Sequence, residues 1–261
     1  MDFTIITTIL DYQNTISTDA IVEIGVHHGK GFVPLALHSG ARKLCAIDIF
    51  DDQDANIDLS GHGDRAVFER NLADFGVDPG RLSILSRRST EVRPAELRDL
   101  VGAVSFFHID GGHDFETVKS DVALAVAVAT EHSVIVLDDM FRPEWPEVSM
   151  AAFSSDSLAE HDFVLCAIGF NKSYFCKAPM VEAFHSTLAA HPDLPKHISK
   201  RYMARNLPVL VFQRYPLPEW PLRKYAYWYL SVKHPVLFNR LHKYLDRFRY
   251  LGRTRPDHPL L

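Results

Sequence analysis

The sequence predicts an α/β fold: a doubly wound, mostly parallel sheet with helices on both faces. Short apolar runs of five to seven residues alternate with segments of helical spacing. The runs are nearly continuous rather than alternating, as in strands buried on both faces. Polar and titratable groups collect where these runs end, the edge at which open sheets of this kind bind ligands.

The elements follow in order. AIVEIG (20–25) reads as the first strand, and GFVPLALHS (31–39) as a short helix whose Pro34 is tolerable in a first turn. KLCAID (43–48) is the second strand. DRAVFERNLADFG (64–76) has helical spacing and a closing glycine. RLSILS (81–86) and AVSFFHID (103–110) are the third and fourth strands. DFETVKSDVALAVAVA (114–129) is a long helix with Asp114 as its N-cap, and SVIVLDD (133–139) is the fifth strand. HDFVLCAIG (161–169) and KSYFCKA (172–178) form a closing antiparallel hairpin. After about 180 the chain turns rich in Pro, His and aromatics, and only LPVLVFQR (207–214) reads as a strand.

A chain of 261 residues, 47% hydrophobic and 23% charged, fits one large domain or one domain plus an appendage. No apolar run reaches about 18 residues, so a membrane-spanning helix is not expected. The start, MDFTIITTILDYQNT, has an acid at position 2 and no basic stretch, unlike a secretory signal. Cys45, Cys166 and Cys176 lie in apolar runs without a CxxC pair, so a reducing cytoplasm is expected.

The strand ends carry the candidate chemistry. VEIGVHHGKG places Gly25, Gly29 and Gly31 in a turn that lets the backbone approach a ligand. Its spacing is neither GxGxxG nor that of a P-loop. Glu23, inside an apolar strand, is costly to bury unless it is bonded. Asp48 ends the second strand, where a carboxylate commonly accepts from two ribose hydroxyls. Asp110, Asp138 and Asp139 stand on adjacent strand tips. Three acids so placed repel one another, and a hard cation (Mg²⁺, with Mn²⁺ or Ca²⁺ as options) would relieve them. His113, on the turn after Asp110, suits a general base near neutral pH. His108 reads as a core histidine, and His27 and His28 as pocket-lining. The plainer alternatives are a simple strand-to-helix turn, solvated strand-end acids and a locally bonded helix histidine. The loops 49–64 and 141–157 are the expected walls for an acceptor, the first as a lid.

VEIGVHHGKG, CAID, FHIDGGHDFETVKSD, VIVLDD and GFNKSYF together resemble the class I S-adenosylmethionine-dependent methyltransferases. More narrowly, they resemble the metal-dependent O-methyltransferases of sugar hydroxyls and macrolide tailoring. The resemblance covers about 18–180. It implies a seven-stranded sheet whose last strand is antiparallel. It implies cofactor contacts by Glu23, Gly25, Gly29, Asp48, Ser89 and Asp110, with Asp48 on the ribose and Ser89 near the adenine. It further implies Asp110, Asp138 and Asp139 as metal ligands and His113 as the base. The expected domains are 1–180, binding S-adenosylmethionine, and 181–261, a largely helical, basic and amphipathic extension.

Charge divides the chain. Residues 196–261 hold fourteen Lys and Arg against three acids, a balance of +11, while 1–195 hold fourteen against thirty, a balance of −16. Between 220 and 250, leucines and aromatics interleave with basic residues. Such a helix suits an anionic membrane surface at the inner face, or its own domain or an oligomer mate. The acidic body speaks against nucleic acid. The expected acceptor is a saccharide or glycosylated small molecule, as in polysaccharide biosynthesis. Two other functions fit the same residues: a hydroxylase-type enzyme on this scaffold, and a non-catalytic cofactor-binding subunit of a glycan-assembly complex.

Overall fold

The computed structural model describes residues 2–57, 60–154, 156–204 and 206–213, with positions 229, 230, 234 and 237 beyond them. The proposed basic amphipathic helix between 220 and 250 therefore lies almost wholly outside the described residues.

The elements run α1 (Asp2–Gln13), β1 (Ala20–Ile24), α2 (Phe32–Leu37), β2 (Leu44–Asp48), α3 (Arg65–Asp74), β3 (Leu82–Ser86), α4 (Pro94–Val101), β4 (Val104–Ile109), α5 (Phe115–Val128) and β5 (Ala129–Leu137). Then come α6 (Pro146–Ser154), α7 (Asp156–Glu160), β6 (Phe163–Gly169), β7 (Lys172–Lys177), α8 (Val181–Ala190), β8 (Ile198–Ala204) and β9 (Leu207–Phe212). The strands make one sheet in the order β3-β2-β1-β4-β5-β7-β6-β9-β8. Strands β1 to β5 pair in parallel, and β7 is antiparallel to both β5 and β6.

Successive strand residues face opposite sides of the sheet, which explains the continuous apolar runs. Ile21, Phe106 and Val134 pack with α1, α2, α3 and α8 on one face. Val22, Phe107 and Ile135 pack with α4, α5 and α6 on the other. Local signals set the helix starts. Asp64 accepts from Val67 N at 2.9 Å and Asp114 from Thr117 N at 3.0 Å, each capping its helix as an acid at that position should.

Several features differ from the sequence expectation: helix α4 was not foreseen, and the expected loop 141–157 holds α6 and the start of α7. Helix α1 was not foreseen, although Ile5, Ile6, Ile9 and Leu10 are fully buried at helical spacing. After helix α8, residues 198–212, expected to belong to a largely helical extension, instead continue the sheet. Strand β9 pairs in parallel with β6, β8 pairs antiparallel with β9, and the seven expected strands become nine. The physical reason is an open edge: β6 presents unpaired backbone groups that β9 satisfies. A first compact unit accordingly runs Met1–Pro216, past the expected boundary at 180, and a second covers Leu217–Leu261.

The chain order reverses between β1 and β4, with β2 and β3 laid to one side and β5 to the other. A crevice forms outside the carboxyl ends at such a reversal.

Candidate active site

The parallel ladders continue one residue past each strand. Gly25 N donates to Ile47 O, Asp110 N to Ile24 O and Asp138 N to Ile109 O, each at 2.9 Å. This brings Gly25, Asp110 and Asp138 side by side at the floor of a cavity of about 1050 Å³. Gly25 has φ +83°, and a Cβ there would lie 1.8 Å from the Asp110 carbonyl oxygen. Only glycine permits that approach.

Most expected cofactor residues line this cavity: Glu23, Gly25, Asp48, Ser89 and Asp110. Asp48 Oδ2 accepts from His27 N at 2.7 Å and Oδ1 from Phe50 N at 2.6 Å, so its carboxylate is fixed at the mouth of the first turn. Each oxygen retains a lone pair for a further donor. Gly29, also expected at the cofactor, does not line the cavity; its φ is +88° and it packs the turn against Phe68. The rings of His27 and His28 lie 4.0 Å apart beside it, tilted by 55°, and burial followed by the His28 charge lowers the His27 pKa.

Glu23 and His108 form a buried pair. Both are about 1% exposed, and Glu23 Oε1 lies 2.6 Å from His108 Nδ1. Burial raises the Glu23 pKa against the opposing pull of His108. For His108, burial acts to lower the pKa, but the bond to Glu23 outweighs it and the net shift is upward. Their remaining polar atoms, Glu23 Oε2 and His108 Nε2, are buried without a hydrogen-bond partner. Orphaned atoms beside a deep cavity are what a bound polar ligand would satisfy. The cavity also exceeds the volume a nucleoside cofactor alone requires. The residues present thus fit S-adenosylmethionine.

The acids beyond them are less free. Asp138 and Asp139 follow β5, both 8% exposed. Asp138 Oδ1 accepts from Asn171 Nδ2 at 2.6 Å and from Asp139 N at 2.8 Å, and Lys172 Nζ pairs with its Oδ2. Asp139 Oδ1 accepts from Asn171 Nδ2 at 2.7 Å and Arg142 Nη1 at 3.0 Å. Burial opposes ionisation of Asp139, yet hydrogen bonds from His113, Asn171 and Arg142 hold it well below the usual carboxylate range. Asp110 behaves oppositely, pushed up to about 8 by burial and by the Asp138 charge. Both Asp138 oxygens and Asp139 Oδ1 are taken by Asn171, Lys172 and Arg142, so those two acids offer a divalent ion fewer free lone pairs than the strand tips alone suggest. Potential ligand atoms instead cluster in two mixed groups, His108 with Asp110 and Asp138, and Asp110 with His113 and Asp139, each within 4.8 Å.

His113 sits against the second of the two β5-end acids. Its Nε2 lies 3.3 Å from Asp139 Oδ2, and its Nδ1 lies 3.2 Å from Ser60 Oγ of the 49–64 loop. Trp145, just before α6, stacks on the ring at 4.3 Å and 19°. Residues 58 and 59 of the first loop lie outside the described residues, but Gln53, Asn56, Ser60 and Gly61 line the cavity.

Sequence reading missed Asn171, Lys172 and Trp145. The first two were visible in GFNKSYF: a two-residue hairpin with positive φ at Phe170 (59°) and Asn171 (74°) fixes where the next side chains land. Trp145 carried no periodic signal.

Residues 22–140 match the sequence profile of a family described as a methyltransferase domain. No curated protein matches the chain. Among solved structures, the O-methyltransferase NovP superposes with a TM-score of 0.54 at 15% identity, over 67% of this chain and 78% of that one. CalS11, a TDP-rhamnose 3′-O-methyltransferase of calicheamicin biosynthesis, superposes with a TM-score of 0.50 at 17% identity, over 66% of this chain and 78% of that one.

Proposed function

We propose that this chain is a class I S-adenosylmethionine-dependent methyltransferase and, more narrowly, an O-methyltransferase acting on a hydroxyl of a saccharide or glycosylated small molecule; the methyltransferase-domain match over 22–140 and the shared fold support the reading. The observation that carries the reading is the Asp139–His113 pair opening on a hydroxyl. With Nε2 turned to the Asp139 carboxylate, His113 keeps a lone pair on Nδ1, and the Ser60 hydroxyl reaches that nitrogen. This is the base-and-orienter arrangement of activated nucleophiles.

When bound, S-adenosylmethionine supplies a methyl group on a positively charged sulfur that leaves as a neutral thioether. Asp48 would hold the ribose, Ser89 would stand near the adenine, and Glu23 and Gly25 would border the methionine end. His113 Nδ1 takes the proton of the acceptor hydroxyl as its oxygen attacks. Asp139 holds the ring and stabilises the imidazolium. The residues' contribution is orientation and electrostatics. Gln53, Asn56, Ser60 and Asn171 give this part of the cavity amides and a hydroxyl suited to a polyhydroxylated acceptor. CalS11, by its name, methylates a sugar on the same fold.

A divalent ion (Mg²⁺, Mn²⁺ or Ca²⁺) held by Asp110, His113 and Asp139 is the second reading, favoured by the convergence of their ligand atoms. Calorimetric titration of S-adenosylmethionine and S-adenosylhomocysteine, with NAD⁺ as control, tests the cofactor. Micromolar binding of the first two alone is expected; no binding of either sinks the reading. His113→Ala should keep S-adenosylhomocysteine affinity and lose about 10²–10⁴ in methyl transfer. Full activity in that variant would remove His113 from its role, and binding without transfer to any glycan in the wild type would favour the scaffold subunit.

A further inference from the structure

Lys172 opens β7 and is 5% exposed. The β5–β7 register pairs Leu137 with Ser173, so the next step sets Lys172 opposite Asp138. Its ammonium meets Asp138 Oδ2, on the oxygen that also lies 3.7 Å from His108 Nε2. The same side chain lines the cavity, and its charge is felt at Glu23, His108 and Asp110. Arg142 brings a second fixed cation to Asp139 at 3.0 Å.

An isolated buried ammonium costs several kcal/mol unless paired. Here the pairing is mutual, since three crowded carboxylates equally need a positive charge. A divalent ion shared by Asp138 and its neighbours would stand against this ammonium, and two like charges at contact distance in a buried site repel strongly. The cluster has room for one of the two cations.

The geometry points to Lys172 as the built-in cation of this site: it takes the place of a divalent metal at Asp138 and, with Arg142 on Asp139, lets the chain bind its cofactor and acceptor without a resident metal ion, against the second reading of an ion on Asp110, His113 and Asp139. Lys172 touches Asp138 rather than the reacting atoms and is therefore a positioning residue. It fixes Asp138, and Asn171, the residue before it, ties Asp138 to Asp139 and so to His113. The inference rests on the proposed methyl transfer for its catalytic meaning, but its test reads metal and cofactor separately.

The experiment is a Mn²⁺ titration of the full chain followed by electron paramagnetic resonance, beside calorimetry of S-adenosylhomocysteine in EDTA and in Mg²⁺. Wild type should show no stoichiometric Mn²⁺ site, and its S-adenosylhomocysteine affinity should agree within about twofold in the two buffers. Lys172→Met keeps the side-chain length and removes the charge; it should gain Mn²⁺ affinity by roughly tenfold or more, as uncompensated carboxylates attract a hard cation. A merely structural lysine would not produce that gain. One tightly held Mn²⁺ in the wild type, or cofactor affinity that collapses in EDTA, overturns the proposal even where Lys172→Met fails to fold. S-adenosylhomocysteine that binds in neither buffer would instead defeat the methyltransferase reading and leave the Mn²⁺ result to judge Lys172.

Discussion

Asp121 on α5 is wholly buried, and Gly111 of the turn before α5 lies against it, with a Cβ at Gly111 placed 3.4 Å from Asp121 Oδ2. Burial pushes its pKa from 3.8 up to about 7, and neither carboxyl oxygen has a hydrogen-bond partner among the described residues. An acid whose folded pKa is raised loses stability as pH climbs from its unfolded to its folded value. The wild type should therefore lose stability from about pH 4 to pH 7, up to a ceiling of about 4 kcal/mol. Asp121→Asn should melt with the wild type near pH 4 and above it near pH 8. Parallel melting curves at both values would show the carboxyl ionised and partnered. No sequence signal marked Asp121, because its position in an apolar helix reads like any other helical acid. His113 and Asp110 were legible, since a strand ending in IDGGH leaves few places for its polar groups. Their partners were not: the polar contacts with Ser60 and Asp139 and the stack on Trp145 all come from segments distant in sequence.

Helix α1 is tied to the sheet by one side chain. Gln13 is fully buried, and its Nε2 donates to Ser105 O of β4 and to His132 O of β5, both at 2.7 Å. Gln13→Ala would leave two carbonyls without that donor and should cost about 2–4 kcal/mol, read by chemical denaturation. Gln13→Glu should cost more, because a carboxylate cannot donate to either. A loss below about 0.5 kcal/mol in both would mean that the α1 apolar face holds the helix unaided. The strands other than β8, and the helices α2, α3 and α5, were legible from periodicity, caps and closing glycines. Helix α1 was not, as its isoleucines are spaced among threonines with no capping signal to mark an end.

At the scale of the molecule, the nine-stranded sheet depends on the segment beyond 180. Val181, Phe184, Leu188, Leu194, Val209, Leu210 and Phe212 are all buried. At about 1.5–3 kcal/mol for each buried side chain, their burial contributes roughly 10 kcal/mol or more. That matches the whole stability of a typical domain. A chain ended at 180 should therefore fail to fold, while one ended at 216 should keep its circular dichroism, its cooperative melt and its S-adenosylhomocysteine affinity. A cooperative melt of the shorter chain would show that the sheet closes at β6. Among the described residues no helix is long and apolar enough to cross a membrane.

The sequence by itself determined the parallel core, its strand order of elements and the tips at which chemistry is presented, because strand period, helix caps and glycine turns are local properties. Tertiary structure decided what those tips meet. Asp138 and Asp139 are paired with Lys172 and Arg142 and bridged by Asn171, and the edge after β6 is closed by β9. Charge balance and edge pairing depend on which distant segments are brought within a few ångströms, and only packing sets that distance.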